Sequence, residues 1–228
     1  MSVQVTFHGH ATFSLDVNGT KLLVDPFFGG NPAATIDADE VNPDYILVTH
    51  GHGDHIADAL PIAQRSGAMI IANAEISGWF NKQGYEKTHP QHIGGGFNYD
   101  FGRVKMTIAF HGSGLPDGSY GGNPAGFLLT VDDKKIYIAG DTAVYSDMSL
   151  IGRDGLDLAI LPIGDNFTMG PDDALLALDF LKPKAVIPCH YNTWPLIEVD
   201  VDEWVGRVKE KFADMDVIVL ESEGTHSL

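Results

Sequence analysis

The chain has 228 residues, 44% of them hydrophobic, and sets 31 acidic side chains against 14 basic ones for a formal net charge of −17. That length and apolar content suffice for a buried core, so one globular domain over residues 1–228 is expected. The charge makes the general surface repel polyanions, which argues against long nucleic acid and anionic membranes as partners. It leaves a small anionic substrate open at any site that carries its own cations.

Met1-Ser2-Val3-Gln4 runs straight into strand-like sequence without a basic start or apolar leader, and no apolar run approaches the roughly 20 residues of a spanning helix. A soluble, cytoplasmic protein is expected. The single cysteine, Cys189, cannot form an internal disulfide, in keeping with a reducing compartment. Short runs of β-branched or aromatic residues predict strands at 3–7, 11–17, 21–25, 45–49, 68–72, 104–110, 126–131, 135–139, 157–161, 184–188 and 216–220. Asn18-Gly19 and Asp132-Asp133 each separate two runs as two-residue hairpin turns do, so antiparallel pairs are expected there. Helical spacing covers 56–66, 75–83, 172–182 behind Pro171, and 201–213, where Val201, Trp204, Val205, Val208 and Phe212 share one face. Strands interleaved with helices imply a layered α/β architecture. Gly94-Gly95-Gly96 and residues 112–124 read as long loops of the kind that often carries function.

The densest chemical signal is Thr49-His50-Gly51-His52-Gly53-Asp54-His55, which packs four potential ligands, His50, His52, Asp54 and His55, into six residues directly after an apolar strand. Alternate positions in a glycine-loosened turn can face one cavity, and Gly51 and Gly53 clear room for ions. A solvated polar turn would favour Asn, Ser and Asp over three histidines. Further along, the strands ending near 110, 139 and 189 are followed by His111, Asp141 and His190. Loops at strand ends converge on a common crevice in layered α/β sheets, so these residues can meet the first cluster.

The His-x-His-x-Asp-His run, with His111, Asp141 and His190, resembles the metallo-β-lactamase superfamily over essentially the whole chain. That resemblance implies a four-layer αβ/βα sandwich with two mixed β-sheets. Phe7-His8-Gly9-His10, Val24-Asp25-Pro26-Phe27, His92-Ile93-Gly94-Gly95, Gly140-Asp141-Thr142, the stretch Gly164 to Pro171 and His190-Tyr191-Asn192-Thr193 resemble its uncharacterised metal-dependent hydrolase subfamily, which is similar to the L-ascorbate-6-phosphate lactonases. The resemblance implies one metal on His50, His52 and His111, a second on Asp54, His55 and His190, and Asp141 bridging them. Zinc is the default for such mixed imidazole and carboxylate shells, with manganese, nickel and iron compatible. It further implies a metal-dependent hydrolase in which a bridging hydroxide attacks the substrate while Asp54 orients it and handles its proton.

Asp25 is a candidate for fixing a ligand histidine by hydrogen bond, or a plain turn residue before Pro26. Among His8, His10, His89 and His92, His92 is the favoured general acid and His10 a candidate beside the metals or substrate. Asp165, Asn166 and Asn192 lie in loops placed to contact substrate, and Trp79, Phe80 and Trp194 read as core or pocket-wall aromatics. Cys189 reads as a small apolar residue rather than a nucleophile.

Oxygen-reducing di-iron relatives usually carry Glu where this chain has His52, and many true β-lactamases carry Cys where it has Asp141, so neither activity is favoured. There is no room for the inserted domain of RNA-cleaving relatives. The expected substrate is a small ester, lactone or phosphodiester, and the apolar content permits a homo-oligomer. A non-catalytic metal-binding or metal-sensing protein is the rival class. Structural metals usually close their shell with four ligands, however, whereas seven ligands shared by two metals leave positions open.

Overall fold

The computed structural model describes residues 2–228. Its strands form two sheets of seven. The first runs, in spatial order, β14 (Thr225–Ser227), β1 (Val3–Phe7), β2 (Phe13–Val17), β3 (Thr20–Val24), β4 (Tyr45–Leu47), β5 (Met69–Asn73) and β6 (Thr88–Gln91). The second runs β13 (Asp216–Val217), β12 (Pro183–Cys189), β11 (Leu156–Pro162), β10 (Lys134–Ile138), β9 (Ala125–Val131), β8 (Gly102–Ile108) and β7 (Gly96–Tyr99).

Both sheets are mixed. Asn18 and Gly19 take positive φ of 53° and 92°, the left-handed pair that a two-residue hairpin between β2 and β3 requires. Asp132 alone is left-handed, at φ 52°, in the turn between β9 and β10, and both expected hairpins are present. Because β1 and β3 are each antiparallel to β2, they run the same way, and β4, β5 and β6 continue parallel to β3. In the second sheet β8 and β10 are each antiparallel to β9, and β11 to β13 continue parallel to β10. The C-terminal ends of β1, β3 and β4 therefore lie on one edge of their sheet, and those of β8, β10 and β12 on one edge of theirs.

The inner faces pack against each other through alternating apolar side chains such as Val5, Leu15, Leu22 and Leu47 on one side and Met106, Phe127, Ile138, Ile160 and Ile187 on the other. Helices α1 (Gly53–Ile56), α2 (Ala59–Ser66) and α3 (Ala74–Lys82) cover the outer face of the first sheet, burying Ile56, Ile62, Ile76 and Phe80. Helices α4 (Met148–Gly152), α5 (Pro171–Leu181) and α6 (Val201–Lys211) cover the second, burying Met148, Leu178, Trp204 and Val208. This is the αβ/βα sandwich expected from the sequence. No described helix is long and apolar enough to cross a membrane.

The departures are local and have physical reasons. The expected 56–66 helix is two, because Asp58 turns to accept the Phe28 and Gly29 amides at 2.6 and 3.0 Å, breaking the coil between α1 and α2. The glycine run 94–96 is not wholly loop, since Gly96 opens β7, which pairs with β8. Strand β6 carries Pro90, a residue that removes a ladder donor, and it is tolerated because β6 is the edge of its sheet. The short β14 and α4 were also outside the expected elements.

Candidate metal centre

Each chemically distinctive residue leaves its strand at the C-terminal edge. Asp25 follows β3, His50 follows β4, Asp54 and His55 sit in α1, and His111, Asp141 and His190 follow β8, β10 and β12. The edges of both sheets meet there, so residues as far apart in the chain as His10 and His190 come together, with ring centres 4.1 Å apart. The backbone is held in unusual states to achieve this: His10, Asp25 and His190 have φ of 57°, 45° and 54°, the left-handed region that such residues rarely occupy and that concentrates at functional sites. Gly164 is required by packing, since a Cβ there would lie 2.1 Å from the His190 carbonyl oxygen.

Two groups of donors converge. His50 Nε2 and His111 Nε2 lie 3.1 and 3.2 Å from His52 Nδ1. Four ligands around a tetrahedral cation at about 2.0–2.1 Å would be separated by about 3.3–3.4 Å, so this spacing suits three nitrogens on one ion. The second group gathers His10, Asp54, His55 and His190, each with one donor atom within 4.8 Å of the others. Asp141 stands between the groups. Its Oδ2 is 3.1 Å from His190 Nε2, 3.3 Å from His55 Nε2, 3.5 Å from His111 Nε2 and 3.9 Å from His50 Nε2.

Some of these inward atoms are left unsatisfied by the protein. His55 Nε2, His190 Nε2 and Asp141 Oδ1 are buried without a hydrogen-bond partner, although the rings crowd the carboxylate. Burial without a partner costs about 1–3 kcal/mol for each such group, and three at one point are the signature of donors aimed at a shared centre. Imidazoles and carboxylates are the donor set of borderline divalent cations, so the residues present fit divalent metal binding.

Around this centre, hydrogen bonds fix which ring atom faces inward. Asp25, fully buried, accepts from the Thr49 amide at 2.8 Å, from the Thr49 hydroxyl at 2.6 Å and from His55 Nδ1 at 2.8 Å, leaving His55 Nε2 directed at Asp141. With its proton committed to Asp25, the Thr49 oxygen accepts from His50 Nδ1 at 2.9 Å, so His50 Nε2 is likewise free. Burial pushes His10 down to about 4 despite its bond to Asp54. The ring is thus neutral at pH 7, donating Nε2–H to Asp54 Oδ2 at 3.2 Å and accepting the Thr193 hydroxyl at Nδ1, 2.8 Å away. Burial opposes charge on Asp141 and Asp54 alike. The His55 and His190 rings nevertheless hold Asp141 well below the usual carboxylate range, and His10 and His55 do so for Asp54.

The cleft over the centre encloses about 250 Å³ and is lined by His52, Asp54, His111, Asp141, Phe167, His190 and Trp194. The family described as the beta-lactamase superfamily domain matches residues 20–191, a span that holds all seven expected ligands. The chain belongs to the beta-lactamase superfamily. A UPF0173 metal-dependent hydrolase of Bacillus cytotoxicus is 48% identical over 212 residues, covering 90% of this chain and 93% of that one. The solved structure of Igni18, a metallo hydrolase from the archaeon Ignicoccus hospitalis, is 32% identical with a TM-score of 0.90, covering 100% of this chain and 99% of its own. YhfI of Bacillus subtilis, a metallo-beta-lactamase fold protein, shares 16% identity at a TM-score of 0.77 over 100% of this chain and 99% of its own, a likeness of fold alone.

Other residues singled out in the sequence of this superfamily member are placed differently. His92 is exposed in the turn after the edge strand β6, where its carbonyl accepts the Gly95 amide, and it does not line the cleft. His92 is therefore not brought together with the donor groups: β6 stands two strands away from β4, and the turn leads across to the second sheet. Asp165 and Asn166 are exposed and hold left-handed turns at φ 61° and 51°, and it is the next residue, Phe167, that lines the cleft. Asn192 is also directed away, accepting the Val199 amide at 2.7 Å, while Trp194, two residues on, forms a cleft wall. His8 is bonded to Glu223 and Ser14, and His89 packs on Phe97 with ring centres 4.3 Å apart. Burial pushes the Cys189 thiol well up, as suits a core residue. Nothing in the sequence marks Phe167 as a cleft residue, because its outward direction is set by the left-handed Asp165 and Asn166 before it.

Proposed function

We propose that the chain is a hydrolase of small esters, lactones or phosphodiesters that works with two divalent cations. One observation carries this reading: a single carboxylate oxygen, Asp141 Oδ2, lies between 3.1 and 3.9 Å from histidine nitrogens of both donor groups. His50, His52 and His111 would hold one cation, Asp54, His55 and His190 the other, and Asp141 both. The metal-dependent hydrolases to which the chain is similar support the same reading. When bound, such a pair supplies Lewis acidity and a water whose pKa is lowered to near neutrality.

The chain's own groups supply the rest. Asp25, through Thr49 and directly, holds the His50 and His55 rings with Nε2 inward before any ligand arrives, so no tautomer change is needed on loading. His10 fixes the Asp54 carboxylate by donating to Oδ2, and Thr193 fixes His10. Asp54, with a side chain 28% exposed to the cleft, is the carboxylate placed to orient the attacking water and accept its proton. Phe167 and Trp194 limit the water that can enter beside the substrate.

The test is a panel of a lactone, a phosphodiester and a thioester, presented to zinc-loaded, manganese-loaded and chelated protein. Chelation should abolish turnover while circular dichroism remains unchanged, because the three apolar cores do not depend on the centre. Unfolding on chelation, or folded and fully loaded protein that turns over none of the three, would contradict a catalytic pair and favour a structural or sensing metal.

A further inference from the structure

We propose that the substrate carries a neutral apolar group, a single ring or short alkyl chain, that lies between Phe167 and Trp194, and that anionic substrates of the sugar-phosphate kind are excluded. This rests on the metal reading above and narrows it to neutral esters and lactones. Of the seven residues around the cleft, five belong to the two donor groups or bridge them. Only Phe167 and Trp194 remain to meet the part of the substrate that does not react.

Neither aromatic is there by accident of a loose loop. Phe167 is 52% exposed and lines the cleft. Its loop is short and tied down: the Asp165 amide donates to the Met169 carbonyl at 3.1 Å, the Met169 amide donates to the Thr142 carbonyl at 3.0 Å, and Met169 is fully buried. Thr142 is the neighbour of Asp141, so the ring is positioned directly from the bridging carboxylate. Two successive left-handed residues, Asp165 and Asn166, are held in that strained state immediately before it. Trp194, also in the lining, packs edge-on to His10, with ring centres 4.8 Å apart, and lies 6.2 Å from Phe27.

The charges point the same way. None of the 14 lysines and arginines lines the cleft. Several are engaged by carboxylates that do not line it: Arg65 with Asp39, Lys184 with Asp157, Arg207 with Asp172 and Lys211 with Asp179. Recognition of a phosphate or carboxylate tail needs paired donors or a cation, which this rim does not offer. With a net charge of −17, the surrounding surface would repel such a tail rather than draw it in. The small-anion possibility therefore shrinks to whatever the metals themselves hold, and the lactonase-like resemblance does not extend to a phosphorylated substrate.

The experiment is calorimetric titration of zinc-loaded protein with three hydroxamates sharing one metal-binding head: acetohydroxamate, 4-phenylbutyrohydroxamate and succinohydroxamate, whose tail is a carboxylate. The phenyl-tailed probe should bind at least about tenfold more tightly than acetohydroxamate, the gain expected from covering one ring, and succinohydroxamate should bind more weakly than either. Phe167→Ala should bring the phenyl-to-methyl ratio close to one, and Phe167→Lys should raise the affinity for succinohydroxamate. Equal binding of the phenyl and methyl probes, or tighter binding of succinohydroxamate by the natural chain, would overturn the apolar assignment while leaving the metal centre standing. Failure of all three to bind folded, zinc-treated protein would overturn the metal reading, and the proposal with it.

Discussion

Replacing Asp141 with alanine should lower kcat/KM by about three orders of magnitude or more, since the cation pair proposed to meet at it would contribute several kcal/mol at about 1.4 kcal/mol for each factor of ten. Asp141 is 3% exposed and faces His190, His55, His111 and His50 at once, so no neighbouring carboxylate can take its place. The nearest other carboxylates are already employed, Asp25 behind His55 and Asp54 on the cleft wall. Asp141→Asn separates charge from shape: it keeps the volume but presents a neutral amide, and activity should fall nearly as far. Steady-state kinetics with each variant at saturating zinc checks this, and activity within tenfold of the natural chain for Asp141→Ala would sink the bridging role.

The largest loss of stability should come from the seam between the sheets. Phe127 is fully buried in the middle of β9, opposite Met106 on β8 and Ile138 on β10, and belongs to the core that joins both inner faces. Phe127→Ala removes a ring from a site that strands on both sides prevent from collapsing, at a cost of about 3–5 kcal/mol. For a chain of this size each kcal/mol lowers Tm by about 2–4 °C, so a fall of about 6–20 °C is expected. Phe97→Ala is the control, because that ring is 47% exposed on the edge strand β7 and should shift Tm by no more than about 2 °C. Calorimetry with chelator in every sample removes any contribution from bound metal. Equal shifts in the two variants would mean that the inter-sheet core is not where stability resides.

The legibility of this chain differed by kind of residue. The histidine cluster was visible because histidines at 50, 52 and 55 around two glycines have no ordinary structural use, and the strand-end positions of His111, Asp141 and His190 follow from short apolar runs that the sheets retain. Asp25 was readable as either a turn residue or a support for histidine; its hydrogen bonds to Thr49 and His55 now favour the second use. What the sequence hid depends on long-range geometry. The bond between His10 and Asp54 spans 44 positions, and only the meeting of the β1 end with α1 creates it. Trp194 reads from the sequence as either a core or a pocket-wall aromatic, and Phe167 carries no signal of its own, since whether a ring faces core or cleft depends on the left-handed turns before it. Strands β6 and β7 escaped notice because edge strands tolerate proline and glycine and need little apolar alternation.

The most direct test of the central claim is a count of metal. Protein stripped by chelator, reloaded with excess zinc and desalted should contain two zinc ions per chain by inductively coupled plasma mass spectrometry, and Asp141→Ala should retain fewer. One ion per chain in the natural protein, or two in both proteins alike, would contradict a pair of cations joined through Asp141.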